Sequence, residues 1–107
     1  MQLHAVTLTL EAIRLIQPLL PRIQRQDKSL VVQLTRAASS AALNAAEGEY
    51  SDPGTRRARL HSAAGSANEA RVALHVAIAW RYISEAEAQL ALQHLDRVVA
   101  LLWKLTR

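Results

Sequence analysis

Residues 37–50 read AASSAALNAAEGEY, and this stretch decides how the chain folds. It contains six alanines, and before Tyr50 at its end its bulkiest side chain is Leu43. At roughly 100° per residue, alanines in this spacing cover about half the circumference of a helix. A narrow polar sector runs beside them, formed by Arg36, Ser40, Asn44 and Glu47. The pattern therefore predicts a helix with one smooth face that packs closely against a neighbouring helix.

The stretch LHSAAGSANEA, residues 60–70, supplies a matching face. It contains Gly65, and a glycine in the middle of a helix costs about 1 kcal/mol relative to alanine. We expect a close approach of the two backbones at Gly65 to offset that cost. Charges buried beside such a face are tolerated only when they are paired and hydrogen-bonded. We predict a structural polar network that consists of Arg36, Ser40, Asn44, Glu47, Ser66 and Glu69. A catalytic carboxylate pair, Glu47 with Glu69, is the alternative.

The composition is typical of one small domain with an aliphatic core. With 107 residues, the chain is long enough for about four helices of roughly twenty residues and one modest core. It has no Phe, so the core must be aliphatic. It also has no Cys, and this excludes disulfides and thiolate metal sites. No basic leader precedes an apolar block, so neither a signal peptide nor a membrane span is predicted. We expect a soluble, cytoplasmic protein with a single domain, residues 1–107.

Prolines, a glycine and capping residues divide the chain into four predicted helices, near residues 3–24, 28–48, 53–82 and 85–106. Pro18 and Pro21 end or kink the first helix. Asp27 or Ser29 can cap the second helix by accepting a bond from a free amide. Gly48 is expected to close that helix.

The third and fourth helices have their own start signals. Ser51 or Asp52 can cap the third helix, with Pro53 in its first turn. Ser84 and Glu87 have the spacing of a capping box at the start of the fourth. No strand pattern competes, so the fold class is all-α and the predicted architecture is an antiparallel up-down four-helix bundle.

Apolar periodicity supports the bundle and predicts self-association. The fourth helix carries one seam: Ala88, Ala91, Leu95, Val98, Leu102 and Leu105, widened by Leu92, Val99 and Trp103. The first helix carries two stripes: Leu3, Val6, Leu10, Ile13 and Leu20, and beside them Leu8, Ala12, Leu15 and Leu19. A helix in a small bundle buries one stripe. We therefore expect the second apolar stripe to be covered by another copy of the chain in a homo-oligomer, with Trp103 or Trp80 near a subunit contact.

No residue pattern indicates catalysis, a metal or a cofactor. Di-iron bundles place a histidine three residues after a glutamate. The four histidines do not follow that rule and are scattered along the chain: His4, His61, His75 and His94. There is no glycine-rich phosphate loop, and no serine lies beside a plausible histidine and acid. We predict a protein that is not an enzyme.

Basic residues outnumber acidic ones by thirteen to nine, and eleven of the thirteen are arginine, the side chain best suited to forked contacts with phosphate. One predicted cluster lies where the chain termini meet the connection between the second and third helices: Arg56, Arg57, Arg59, Lys104 and Arg107. A second lies at the other end of the bundle: Arg22, Arg25, Lys28 and Arg81, diluted by Asp27, Glu85 and Glu87.

The arginines that open the third helix have two explanations. They lie at the positive end of its dipole, which is locally unfavourable. Either Glu47, Glu49 and Asp52 neutralise them, or the arginines and the free helix amides together hold a phosphate. No aromatic residues interleave with either cluster. Any contact with nucleic acid is therefore expected at the backbone and not through base stacking.

Three segments, QLTRAASSAALNAAEG, LHSAAGSANEARVAL and IAWRYIS, carry a resemblance to a known family. The chain resembles the four-helix-bundle proteins encoded in intervening sequences of bacterial 23S ribosomal RNA genes. The matching positions are Gln33, Arg36, Ala37, Ala38, Ser40, Asn44, Ala46, Glu47, Gly48, Leu60, Ala63, Gly65, Ser66, Glu69 and Leu74. Ala41 and Ala45 stand where the family usually has isoleucine, and Arg59 stands where an aromatic residue is common.

The resemblance implies a four-helix bundle that assembles as a ring, typically a homopentamer, and it supplies no catalytic residue. Relatives include the accessory variability protein of diversity-generating retroelements, a basic pentamer that engages nucleic acid and a reverse transcriptase. The leading hypothesis is a non-enzymatic, ring-forming scaffold that contacts RNA or DNA phosphates through arginine clusters. The alternative is an oligomeric adaptor that binds a partner protein and has no nucleic-acid role.

Overall fold

A computed structural model describes the backbone of residues 2–107 and the side chains of residues 4–107. These residues form helices α1 (Gln2–Ile16), α2 (Leu20–Gln26), α3 (Lys28–Glu49), α4 (Pro53–Ala79) and α5 (Glu85–Leu105), with a 3₁₀ turn at Gln17–Leu19. The described part of the chain is all-α and contains no strand. None of its helices combines the length and the hydropathy that a membrane crossing requires.

The helices form four rods, because α1 and α2 are two parts of one kinked rod. Pro18 lies in the 3₁₀ turn and Pro21 lies in the first turn of α2, so the prolines bend this rod without ending it. The α1 rod packs against α3 and α5, and α4 packs against the same two helices. Each rod therefore has two neighbours, and the bundle measures 42 × 22 × 18 Å.

The predicted start signals of the last three rods are confirmed. Asp27, and not Ser29, caps α3, where its Oδ1 accepts a bond of 3.0 Å from the Leu30 amide. Ser84 and Glu87 form the capping box of α5: the Glu87 amide donates to Ser84 Oγ at 3.1 Å, and the Ser84 amide donates to Glu87 Oε1 at 2.9 Å.

Two helix ends differ from the prediction. Gly48 does not close α3, because the helix continues to Glu49 and Gly48 has no left-handed backbone. The helix α4 ends at Ala79, three residues before the predicted end. There Arg81 takes a left-handed conformation with φ 65°, and the Tyr82 amide donates to the Ala77 carbonyl at 2.9 Å. This is a Schellman ending in which arginine occupies the position that glycine usually fills.

The alanine faces of α3 and α4 form the centre of the core as predicted. The buried alanines are Ala37, Ala38, Ala41, Ala42 and Ala45 on α3, and Ala63, Ala64, Ala67, Ala70, Ala73 and Ala77 on α4. The glycine of closest approach, however, is not Gly65. Gly65 is exposed, and a Cβ built on it would meet nothing within 4 Å. The tight position is Gly48, where a Cβ would lie 3.2 Å from Leu60 Cγ.

The first rod buries a stripe that only partly coincides with the second predicted stripe, with which it shares Ala12 and Leu19. It consists of Ala5, Thr9, Ala12, Ile16, Leu19 and Ile23. Thr9 breaks the apolar pattern but satisfies its hydroxyl by donating to the Ala5 carbonyl at 2.7 Å. The other described members of the two predicted stripes are half-buried against the core, except Leu10, which is 43% exposed. The prediction for Leu3 lies outside the described side chains. The first rod therefore offers little of the surplus apolar surface that was expected of it.

The fourth predicted helix, α5, buries its seam as expected. Ala88, Ala91, Leu95, Val98 and Leu102 are buried, and Leu105 is half-buried. Trp103 at the edge is 37% exposed and makes an edge-to-face ring contact with His61, with the ring centroids 4.7 Å apart. Large apolar side chains with more than half their surface exposed lie outside this seam. They include Leu43 on α3, Trp80 at the end of α4 and Leu90 on another side of α5.

Candidate nucleic-acid interface

One end of the bundle is built from the connection between α3 and α4 together with the last residues of α5. Asp52 caps α4 there: its Oδ1 accepts a bond of 2.9 Å from the Thr55 amide, and its Oδ2 accepts one of 3.0 Å from the Thr55 hydroxyl. These two bonds, the amide bond first, lower the pKa of Asp52 below its usual value. Pro53 has no amide hydrogen and occupies the first turn, as predicted.

A cleft of about 390 Å³ opens beside this cap. Arg56 and Arg57 line it from α4, and Arg107 lines it from the end of the chain. Arg56 is half-buried, whereas Arg57 and Arg107 are exposed. Because α4 and α5 are antiparallel, the cleft brings arginines of the first α4 turns beside the negative end of the α5 dipole, which favours cations.

The other two members of the first predicted cluster do not line this cleft. Arg59 turns toward α3, where its Nη1 lies 3.2 Å from Glu47 Oε2. Lys104 is exposed on α5 and is not part of the cleft wall. Of the opening arginines of α4, Arg59 therefore pairs with Glu47, whereas Arg56 and Arg57 line the cleft together with Arg107.

Free helix amides contribute less here than the sequence suggested. The Thr55 amide is bonded to Asp52, and the Arg56 amide donates to the Asp52 carbonyl at 2.7 Å. A phosphate in the cleft would have to be held by guanidinium groups, which can bind it with paired, charge-assisted bonds.

The predicted polar network exists in a smaller form, in the groove between α3 and α4. Ser40 Oγ and Ser66 Oγ are 3.0 Å apart, and Asn44 Nδ2 donates to Ser40 Oγ at 3.1 Å. Asn44 Oδ1 in turn accepts a long bond of 3.5 Å from Arg59, which also pairs with Glu47. Both members of that ion pair are about half exposed, so the pair contributes little to stability.

Arg36 and Glu69 do not belong to this network. Both are exposed, and within the described side chains neither makes a hydrogen bond or an ion pair. The cation of the network is Arg59, for which the sequence left open either neutralisation by nearby carboxylates, Glu47 among them, or phosphate binding. Counting residues outward from the SDPG turn along two antiparallel helices would have placed Arg59 opposite Glu47.

The same register separates the two carboxylates of the catalytic alternative. Ser40 lies opposite Ser66, so Glu69 lies beside residue 37 of α3, ten residues from Glu47. At a rise of 1.5 Å per residue, this places Glu47 and Glu69 roughly 15 Å apart along the bundle. The arrangement does not form a carboxylate pair.

In the second predicted basic cluster, Arg22 has an ion-pair partner, whereas Arg25, Lys28 and Arg81 are exposed and form no ion pair within the described side chains. Arg22 forms an ion pair with Glu87, and this pairing adds to the capping bonds from Ser84 that lower the pKa of Glu87. Asp27 accepts a bond from the Tyr82 hydroxyl at 3.4 Å, and burial together with this carboxylate raises the pKa of Tyr82.

Histidines and acidic residues in the described part of the chain do not form a group of three that could hold a metal ion. His94 Nε2 lies 2.9 Å from Glu11 Oε2, which ties α5 to α1. His61 packs against Trp103, and His75 lines a groove between α4 and α5. These positions are typical of helical histidines that pack or pair at a bundle surface.

Comparison with known proteins gives a family and a fold. The family model of the 23S rRNA-intervening sequence protein matches residues 2–104. The chain is similar to a crystal structure of a protein of unknown function from the S23 ribosomal protein family of Bacteroides thetaiotaomicron VPI-5482, with a TM-score of 0.85 and 21% sequence identity. The alignment covers 96% of this chain and 98% of that chain. At this identity the likeness establishes the fold alone. No curated protein matches the chain.

Proposed function

The chain belongs to the 23S rRNA-intervening sequence protein family, and we propose that it is a non-enzymatic, oligomeric scaffold that contacts RNA or DNA phosphates. The observation that carries this proposal is the cleft shared by Arg56, Arg57 and Arg107. These three arginines from the start of α4 and the end of the chain line the same cleft, and guanidinium is the side-chain group best matched to phosphate geometry.

The cleft suits a nucleic-acid backbone better than a base. Its other lining residues include Pro53, Leu105 and Thr106, and no aromatic side chain lies among those that line it. Base stacking needs an aromatic platform, whereas phosphate binding needs only grouped cations. We therefore expect weak dependence on sequence and strong dependence on salt.

Assembly would multiply a modest charge. Each chain carries a net charge of +4, so a ring of five copies would carry about +20 and present five arginine clefts at one rim. A homopentamer is part of this proposal, as are the relation to the accessory variability protein of diversity-generating retroelements and a cytoplasmic location. Several weak phosphate contacts made at once bind far more tightly than one.

The groove between α4 and α5 favours a second candidate function, an oligomeric adaptor that binds a partner protein. This groove has a volume of about 550 Å³, and its lining combines apolar and polar residues, among them Ile78, Leu92 and Gln93. Such a mixture suits a peptide or helix better than phosphate. In this role the arginines would serve solubility only.

A salt titration with a matched control separates the two candidates. The site variant changes Arg56, Arg57 and Arg107 to Gln, and the control changes Arg14, Arg71 and Arg97 to Gln, which removes the same charge away from the cleft and from the second predicted basic cluster. Binding to generic RNA and duplex DNA is measured by filter retention at several salt concentrations, beside thermal melts of each protein.

The scaffold proposal expects the parent to bind at low salt with an affinity that falls steeply as salt is added. Losing three phosphate contacts should lower the slope of log K against log salt by about 2 to 3 for each engaged subunit. The control should keep most of the parent's slope. Parent protein that does not bind at ~50 mM salt, where phosphate contacts are strong, would remove the nucleic-acid role and leave the adaptor. An equal decrease of this slope in the site variant and in the control would show that the cleft is not the phosphate-binding site.

A further inference from the structure

The outward surface of α3 and α4 carries apolar side chains that the subunit leaves uncovered. Val32 and Leu43 on α3 are 50% and 64% exposed, and Val72 on α4 is 50% exposed. Trp80, at the end of α4, is 67% exposed. We call this surface the outer face. It includes Val32, Arg36 and Leu43 of α3, and Gly65, Glu69 and Val72 of α4. Such side chains indicate an interaction site where they act together as one surface.

The two charged members of the outer face are opposite in sign and lack partners. Arg36 lies on α3 and Glu69 lies on α4. Both are exposed, and neither forms an ion pair within the described part of the subunit. Because one helix supplies the cation and the other supplies the anion, the α3 side of one copy is complementary in charge to the α4 side of another copy.

The levels of these residues along the bundle are fixed by two contacts. Ser40 Oγ lies 3.0 Å from Ser66 Oγ, and Glu47 lies 3.2 Å from Arg59. The two helices run in opposite directions. A residue of α3 that lies n positions after Ser40 is therefore level with the residue of α4 that lies n positions before Ser66, and the same holds in the other direction.

In this register Arg36 is level with Glu69 to within about one residue, or roughly 1.5 Å. Leu43 is level with Gly65, and Val32 is level with Val72, each to within about two residues, or roughly 3 Å. Three pairs thus match in height: a cation with an anion, a protruding leucine with a glycine, and two valines. Rotation about an axis parallel to the helices brings residues of equal height together, so all three pairs can form in one contact.

We propose that α3 of one copy packs on α4 of the next copy, so that Arg36 pairs with Glu69 of the neighbouring copy. Leu43 packs over Gly65 of the neighbour, and Val32 packs against its Val72. The contact joins two different sides of the chain and can repeat around a ring. It rests on the self-association part of the proposed function, and it names the surface that would make the assembly.

Gly65 supports this contact independently of the charges. It lies in the middle of α4, where glycine destabilises a helix relative to alanine. Nothing in the subunit requires a glycine there, because a Cβ at this position would meet nothing within 4 Å. A side chain from another copy that approaches the α4 backbone at Gly65 does require it.

A charge-swap experiment tests the pairing. Arg36→Glu and Glu69→Arg are made singly and together, and the association constant is measured by analytical ultracentrifugation over a range of protein concentrations. Each single change places like charges in contact and should weaken association at least tenfold. The double change restores opposite charges and should return the constant to within about threefold of the parent. Arg97→Glu on α5 is the matched control and should leave association unchanged.

Gly65→Leu provides a second arm that does not depend on charge. The space at Gly65 is open within the subunit, so the variant should keep its helical circular dichroism and a cooperative melt while its association weakens by at least tenfold. Single variants that associate like the parent, or a double variant that remains dissociated, would overturn the proposed contact. Parent protein that is monomeric at every concentration would instead remove the oligomeric scaffold itself.

Discussion

Replacing Gly48 with alanine should destabilise the protein, although the same replacement stabilises most helices. Gly48 lies within α3 and is buried, and Leu60 of α4 packs over it. An added Cβ would lie 3.2 Å from Leu60 Cγ and 3.3 Å from Leu60 Cδ2. These distances are shorter than ordinary carbon contacts, which fall near 3.5–4.0 Å.

Two effects oppose each other at this position. Alanine in place of a helical glycine gains about 0.5–1 kcal/mol, because the unfolded chain has fewer conformations to lose. Forcing an extra carbon into a packed core costs about 1–3 kcal/mol. Leu60 is completely buried and has little room to move away, so the cost should exceed the gain. We expect a net loss of about 1 kcal/mol.

Gly65→Ala is the matched comparison, because it makes the same chemical change in the middle of α4, where the added carbon meets nothing within 4 Å. Its subunit should gain about 0.5–1 kcal/mol. The two variants should therefore differ by roughly 2 kcal/mol in opposite directions. Unfolding by urea measures both at a protein concentration low enough to keep each variant monomeric, because assembly would add the loss of any subunit contact at Gly65 to the measured stability.

A double-mutant cycle identifies the clash. Leu60→Ala removes the Cγ and Cδ2 carbons that crowd position 48, so Gly48→Ala should cost less in that background, with a favourable coupling of about 0.5–1 kcal/mol. A Gly48→Ala variant that is as stable as Gly65→Ala, or a cycle with no coupling, would show that α3 and α4 leave room for a Cβ at position 48.

Three further predictions concern the ends and centre of the bundle. Arg81→Gly should raise stability by about 1 kcal/mol in a urea titration, because Arg81 holds a left-handed backbone that glycine adopts without strain; an equal or lower stability would contradict that account. Asp52 has a lowered pKa, so it stabilises the fold above its unfolded value of about 4 and loses that effect as pH falls through the folded value. Asp52→Asn keeps a capping oxygen without titrating, and melts from pH 7 to pH 2 should fall less steeply for it than for the parent. Leu74→Ala, at a fully buried position, should cost about 2.7–5 kcal/mol in a thermal or urea melt, and a loss below ~1 kcal/mol would contradict tight packing around it.

Local chemistry explains why the sequence predicted the four rods and most of their starts. Asp27 and Ser84 cap their helices through residues only three positions away, and the effect of Pro18 on its own rod needs no distant partner. The alanine face of α3 was also readable, because its spacing alone assigns it to one side of a helix. The sequence misplaced the buried stripe of the first rod, since Thr9 looks polar until its bond to the Ala5 carbonyl is known.

The sequence by itself therefore determined the all-α fold class, the family, and the presence of arginines at both ends of the bundle, because propensity, caps and charge are properties of the chain. Only the tertiary structure decided which residues meet. It paired Arg59 with Glu47 and left Arg36 and Glu69 exposed on the outer face. It also made Gly48, and not Gly65, the glycine at which α3 and α4 approach closely. The physical reason is that these outcomes depend on the register and rotation of one helix against another. A shift of one residue changes direction by about 100°, and no local signal specifies it.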